Sequence, residues 1–458
     1  MSIPELKDHQ VDSAATSRAA AWSLAQGDFV YRHDDAPLFI AAHGATLEDD
    51  QGYKYLDAEA ANGAAILGYD SSLFDEALER VRDIPTIPSF CETEVRLRVA
   101  RRMASLLDEA AGCRGRVAFD LGGAQGIELA LKIARCNNPY RSRFVTFEGA
   151  YHGRSPFTSQ LSASQRYRSV NGEWCIPVTR LPYPDCEQCR FGENASDCTT
   201  TCISYVRQMV SNEFAGLVSQ SGVSDVCAVI IEPMLNAGGM VFPDPRYMEF
   251  VVETFRAQGA LIVMDEVFTG LYRMGTPFGF QRYSFVPDIV VVSKALTNGM
   301  VPLSCVWGRD PLLAPENFPP GTHSVTFGNN PFSLAVAECV LDRLTAWDDL
   351  SASLSMLEAS LRDALDAVVS SSPLARSATV MGGVGRILLT EPVASKIRQN
   401  ALKVARQDSV DGFHGMLIAS TGMAPNVIAV HPPLNISPSL ISTMKKLLLR
   451  AFQQTEFS

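Results

Sequence analysis

The chain has 458 residues, 47% of them hydrophobic, with a net charge of −11 and a pI near 5.2. A chain of that length can bury a large core and should hold two or more lobes. Its acidic balance, without a Lys/Arg cluster, argues against a nucleic-acid partner.

The first residues, Met1–Asp8, have neither the basic nor the apolar region of a targeting peptide. No apolar run approaches the ~20 residues that span a bilayer. A cytoplasmic protein without a membrane partner is therefore expected, with its 11 cysteines mostly reduced.

In chain order, polar Met1–Gln26 reads as a helical or partly ordered arm. Ala42–Asp57 alternates apolar and polar residues around Gln51-Gly52, as a hairpin does. From about Glu92 to Ala134 apolar residues recur at helical spacing, among them Val95, Leu97, Val99, Met103, Leu106 and Leu107. Strands are then predicted at Arg143–Phe147, Val226–Glu232, Leu261–Asp265 and Ile289–Ser293, with a helix near Arg246–Gln258. This alternation predicts an α/β fold with a mostly parallel sheet and helices on both faces. Pro311–Gly321 reads as an exposed connector. Helices follow at Phe332–Thr345 and Leu350–Val369, then shorter strand-like runs. Neither internal repeats nor low-complexity segments stand out.

Two strand ends carry the chemistry. Lys294 closes the run Ile289–Ser293 and opens into a small-residue turn, while Asp265 closes Leu261–Met264. Either alone would read as a solvated surface charge. At the ends of neighbouring strands the pair suits pyridoxal 5′-phosphate. The lysine forms a Schiff base with its aldehyde, and the carboxylate keeps the pyridine nitrogen protonated. Leu121–Gly126 leads straight into the helical run Ile127–Arg135, a turn whose backbone N–H groups and helix dipole suit a phosphate.

Asp265-Glu266-Val267-Phe268-Thr269-Gly270, Arg273-x-Gly275, Pro287-Asp288-Ile289 and Ser293-Lys294-Ala295-Leu296 together resemble the class III (ω-) aminotransferases. These are pyridoxal-phosphate enzymes of fold type I, and the similarity runs from the Gly52–Asp57 segment to Pro432-Pro433-Leu434. The resemblance implies a large cofactor-binding domain over 76–330. A smaller α+β lobe would combine 331–458 with part of 1–75, in a homodimer with shared active sites. It makes Lys294 the Schiff-base lysine and proton shuttle, and Asp265 the partner of the ring nitrogen. Val267 would pack on one ring face and Tyr151, of Tyr151-His152-Gly153, on the other. Gly123 and Ala124 would give backbone donors to the phosphate, reached also by Thr326 from the neighbouring subunit.

Three departures bear on substrate. Ala429 stands where family members acting on α-amino acids carry a carboxylate-gripping Arg, and Ala237 where several carry its Glu counterpart. Losing both together is coherent, because one buried charge left alone is costly. Phe268 replaces a Gln that often touches the ring's phenolic oxygen. Arg154, Arg273 and Arg386 remain as alternative carboxylate clamps, with His431 a further contributor.

The expected activity is transfer of an amino group between an amino donor and a carbonyl compound without an α-carboxylate, of aldehyde, ketone or amino-sugar type, in natural-product biosynthesis. An epimerase or racemase using the same lysine is the alternative, and a non-catalytic sensor a more distant one. Cys186, Cys189, Cys198 and Cys202 have spacings open to zinc, an iron–sulfur cluster or plain thiols. No resident metal is expected.

Overall fold

β-Branched and apolar residues fill the central strands on both faces, the pattern of a sheet covered on each side. In the computed structural model, which describes residues 37–169, 176–192, 195–212, 216–218, 224–421 and 423–456 (195–198 by backbone only), these runs form one seven-stranded sheet. The expected arm over 1–26 lies outside the described residues.

The sheet runs β4 (Gly115–Asp120), β10 (Ser304–Arg309), β9 (Ile289–Val292), β8 (Leu261–Asp265), β7 (Val226–Ile231), β5 (Arg143–Phe147), β6 (Val178–Leu181). From β9 to β6 all pairings are parallel, and β10 runs antiparallel to both its neighbours. Period-two alternation sorts the side chains. Ala228, Ile230, Val263, Ile289 and Val291 pack with Ile127, Ala130 and Ile133 of helix Gly123–Asn137. Val229, Ile231, Ile262, Met264, Val290 and Val292 share the opposite cluster with Tyr247, Val251 and Phe255 of helix Pro245–Ala257. Helices on both faces leave the strand ends as the open edge, where α/β proteins place ligands.

Two smaller sheets flank this one. β1 (Phe39–His43), β2 (Thr46–Asp49) and β3 (Lys54–Asp57) are joined by β13 (Gly415–Leu417), parallel to β3, so segments far apart in sequence meet. The turn between β2 and β3 is held by Asp49, whose carboxylate accepts from the amides of Gln51 and Tyr53 and from the Tyr55 hydroxyl. The third sheet orders β11 (Ala375–Met381), β12 (Val384–Leu389), β15 (Val427–Val430), β14 (Ala419–Ser420).

Two expectations need correction. Helical spacing over Glu92–Ala134 is broken by β4 between helices Glu94–Ala111 and Gly123–Asn137. Gly112, at φ 65°, ends the first helix, and Gly115 has its Cα so close to the Trp307 ring that a Cβ would lie 2.3 Å from it. Cross-strand packing thus overrides helical periodicity there. The carboxyl-terminal region holds not only strands but helices Ala394–Ala401 and Pro438–Glu456. In the latter Ile441, Met444, Leu447, Leu448, Ala451 and Phe452 are buried at helical spacing. Within the Pro311–Gly321 connector, Leu312 and Ala314 are buried, so the segment is tethered to the large sheet. Among the described residues, no helix is long and apolar enough to cross a membrane.

Candidate active site

Lys294 follows β9 through Ser293, whose hydroxyl donates to the Leu303 carbonyl at 2.7 Å. The lysine takes a left-handed conformation, φ 40°, that aims its side chain into a cavity of ≈ 880 Å³. Its ammonium donates to the Asn62 carbonyl at 3.1 Å and lies 5.2 Å from the centre of the Phe268 ring. Burial pushes its pKa down from the usual lysine value, against Asp265, Glu232 and Glu59.

Asn62 reaches that place because Ala60, Ala61 and Asn62 all have φ between 50° and 58°. A left-handed turn costs roughly 1–2 kcal/mol per residue with a Cβ, and such strain gathers at functional sites. Gly63, which ends it, packs directly on Phe268: a Cβ there would lie 2.4 Å from the ring.

Asp265, at the end of β8, is buried with both oxygens engaged. Oδ1 accepts from the Val267 amide at 3.0 Å, and Oδ2 lies 2.7 Å from His152 Nδ1. His152 Nε2 is 3.1 Å from the Thr146 hydroxyl, the arrangement in which Nδ1–H donates to Asp265. The sequence motif contained His152 but gave it no role. Its signal was position alone, since a His-Gly pair after a strand also reads as ordinary loop chemistry.

Gly122, extended at φ −156° and ψ 179°, caps helix Gly123–Asn137, whose first amides have no intrahelical acceptor. Gly123 lies against Val267, a Cβ being 2.9 Å from its Cγ1. Gly153, at φ 120°, abuts Ala124: a Cβ would stand 2.7 Å from the Ala124 Cβ and from the Thr158 hydroxyl. The fold thus brings Gly123, Ala124, Val267 and the Tyr151–Gly153 turn together. A cradle too tight for added side chains, with free amides at a helix start, fits a phosphate.

Tyr151, lining the cavity, is fixed through its amide, which donates to Glu232 Oε1 at 2.8 Å. The other oxygen of Glu232 accepts from the Asn236 amide at 3.1 Å. Burial raises the Glu232 carboxyl to about 7, His152 opposing and Asp265 adding to the rise. The Tyr151 ring meets Tyr167 edge-on at 5.6 Å, and the Arg154 guanidinium lies 4.5 Å from the Tyr167 centroid.

Of the three arginines left open by the sequence, two are committed elsewhere. Arg273 is wholly buried and donates to the carbonyls of Gly63, Gly383, His431 and Pro432. Arg386 pairs with Asp185 at 2.7 Å. Arg154 lines the cavity. Replacing Arg273 by Met should cost about 3 kcal/mol of stability or more, since several buried carbonyls lose their donor. Chemical denaturation would read it, and a loss under about 1 kcal/mol would show that the carbonyls find other partners.

Thr326 is exposed on the turn before helix Pro331–Thr345 and is not among the described residues lining the cavity. In the cysteine segment, among the described residues, no group of three or more His, Cys, Asp or Glu is placed for a metal. Cys186 lies 3.7 Å from the Thr199 hydroxyl, Cys202 is buried, and the Cys198 side chain lies outside the described residues.

Residues 30–452 match the family model for class-III aminotransferases. The chain is 29% identical over 422 residues to an acetylornithine aminotransferase of Streptomyces clavuligerus, covering 90% of each. It is 26% identical to a diaminobutyrate–2-oxoglutarate aminotransferase of Rhizobium meliloti, covering 90% of this chain and 87% of the relative. Among solved structures, an amine transaminase from an uncultivated Pseudomonas species in its PLP-bound form superimposes with a TM-score of 0.81 at 21% identity, covering 97% and 98%. A Bacillus anthracis aminotransferase gives 0.80 at 24%, covering 96% and 100%; both show the fold. The chain belongs to the class III aminotransferase family, the pyridoxal-phosphate-dependent enzymes that move an amino group between a donor and a carbonyl acceptor.

Proposed function

We propose that this aminotransferase acts on a carbonyl compound, or the corresponding amine, that carries no carboxylate beside the reacting carbon, in the biosynthesis of a natural product. The observation that supports this is Ala429: it is wholly buried on β15 among Phe268, Met240 and Met274, and offers no cation. Ala237 lines the cavity at the place where the resemblance puts a Glu in several members. The relatives are named for diaminobutyrate, acetylornithine and 4-aminobutyrate, so substrate choice varies widely around one cofactor site.

Pyridoxal phosphate, when bound, supplies an aldehyde for amine exchange and a ring that accepts the electrons of the substrate carbon. In this reading Lys294 would hold the cofactor and, as a free amine, would move the proton at the substrate carbon. Asp265, oriented by His152 and the Val267 amide, supplies the anion for the ring nitrogen. Gly123 and Ala124 would hold the phosphate, and Val267 and Tyr151 would pack against the ring. Glu232 is a positioning residue, since it fixes the Tyr151 backbone.

Arg154 is assigned to the carboxylate of the amino-acid donor, where a planar fork suits two oxygens. Arg154→Ala should raise KM for that donor 10- to 100-fold, the worth of a charge-assisted hydrogen bond of ~1.5–3 kcal/mol. Steady-state kinetics should show a much smaller change in KM for the amine. Equal effects on both substrates would remove the assignment.

The working unit is proposed to be a homodimer in which Thr326 reaches the partner's phosphate site. Its neighbour Phe327 is 61% exposed and Phe90 88% exposed, and their loops are tied by Asn329 donating to the Ser89 carbonyl at 2.6 Å. An apolar patch so arranged suits burial against a second copy.

The test is a donor panel read by the absorbance change of the bound cofactor. Primary amines and amino sugars should react faster than ordinary α-amino acids. An α-amino/α-keto acid pair that outpaces every amine would overturn the substrate class and leave the cofactor chemistry standing.

A further inference from the structure

We propose that Glu59 and His431 form a recognition subsite beside Lys294 for a hydrogen-bond donor on the amine substrate, a hydroxyl or a second ammonium. The inference rests on the reading that the substrate carries no carboxylate next to its reacting carbon.

The backbone carrying Glu59 is held from both sides. Asp57 Oδ1 accepts from the amides of Glu59 at 2.8 Å and Ala60 at 2.9 Å, and its Oδ2 from the Tyr69 hydroxyl at 2.7 Å. The Glu59 carbonyl accepts from the Gly63 amide at 3.0 Å, closing the left-handed turn that also offers the Asn62 carbonyl to Lys294. A side chain on so fixed a turn is aimed rather than free. Glu59 lines the cavity together with Lys294 and His431.

His431 lies at the end of β15, two residues beyond Ala429. Its amide donates to the Ala58 carbonyl at 2.8 Å, which joins it to the Glu59 segment. The ring is 2% exposed and stands edge-on to Phe268 at 5.3 Å. Its Nδ1 is buried without a hydrogen-bond partner. A polar atom left so is costly, and a ligand group reaching it would recover that loss. Burial, with Arg273 and Lys294 nearby, lowers the His431 pKa to about 3 against the backbone carbonyls of His431 and Glu59, so the ring is neutral, a donor at one nitrogen and an acceptor at the other.

The two groups ask for the same chemistry. A carboxylate only accepts hydrogen bonds, and a neutral imidazole accepts at one nitrogen. Burial, with Asp57 adding, raises the Glu59 carboxyl to about 7, while a hydrogen bond from the Asn62 backbone, Lys294 and Arg398 pull it down. Near neutral pH part of the population is anionic, and an arriving ammonium would complete its ionisation. A substrate carboxylate brought to this wall would meet the acidic Glu59. The subsite therefore favours donors and disfavours carboxylates by one arrangement.

Three matched amines test it on the holoenzyme: n-butylamine, 4-amino-1-butanol and 1,4-diaminobutane. The wild type should prefer at least one donor-bearing amine over n-butylamine by tenfold or more in kcat/KM. Glu59→Gln should reduce the preference for the diamine at least tenfold. Glu59→Leu should reduce the preference for the amino alcohol as well, and His431→Phe should weaken it further. The relative loss on the two substrates tells hydroxyl from ammonium, and the absorbance of bound cofactor verifies that each variant is loaded. Preference unchanged in both Glu59 variants, or absent in the wild type, overturns the subsite. An α-amino acid outpacing all three amines in the wild type overturns instead the substrate reading beneath it.

Discussion

Lys294→Ala is expected to abolish turnover, by at least about 10⁴-fold, while leaving the cofactor bound without covalent attachment. Among the described residues lining the cavity Lys294 is the one lysine, so no neighbouring amine is placed to substitute for it. Two functions disappear together. Covalent attachment through an amine is lost, and so is the base that moves the proton at the substrate carbon, itself worth ~10²–10⁴-fold. Desolvation already lowers the lysine's pKa, so the wild-type amine is prepared for both tasks. The Gly123–Ala124 cradle and the Asp265 side chain are untouched by the substitution, which is why binding should survive. Borohydride treatment of the wild type, followed by peptide mass analysis, should place the fixed cofactor on Lys294. Turnover persisting in the variant would remove the central assignment.

The candidate site was readable in the sequence because its parts are tied to strand ends. A strand announces itself by its apolar run, and the residue that ends it is then located to within a position. Asp265 and Lys294 were found that way, and β8 and β9 pair side by side as the argument required. The cradle was readable for a related reason, since a Gly-rich turn opening a helix has a local signature. What stayed hidden depends on contacts between distant segments. His152 meets Asp265 across 113 positions, and Lys294 meets Asn62 across 232. No periodicity encodes such meetings. Glu59 was hidden for a further reason: Asn62-Gly63 marks a turn, but Ala60 and Ala61 give no sign that the left-handed conformation begins directly after Glu59. The sequence likewise left Arg273 open as a carboxylate clamp, because only burial reveals that its donors are spent on main-chain carbonyls. The strand β4 was lost inside a helical pattern, since a short strand beside long helices carries too few residues to assert its own period.

Asp265→Ala should slow proton removal from the substrate carbon by roughly a thousandfold or more. An anion opposite the ring nitrogen is worth ~4–6 kcal/mol in the transition state, because charge develops there in a site shielded from water. The surroundings of Asp265 sharpen the expectation. Its two oxygens are held by His152 and the Val267 amide, so the carboxylate is oriented before any ligand arrives and little reorganisation is required. Asp265→Asn keeps the shape and removes the charge, so it should lose nearly as much as Ala if charge is what matters. His152→Ala should cost far less, about tenfold, since it acts only through the orientation of Asp265. Single-turnover kinetics with an α-deuterated amine would separate the chemical step from binding, and the isotope effect should grow as proton removal becomes rate-limiting. A loss below about tenfold in Asp265→Ala, with the cofactor still bound, would mean that another group balances the ring nitrogen. The order of effects, with Asp265 far above His152, distinguishes an anion that takes part in the transition state from a side chain that merely fills space between β5 and β8.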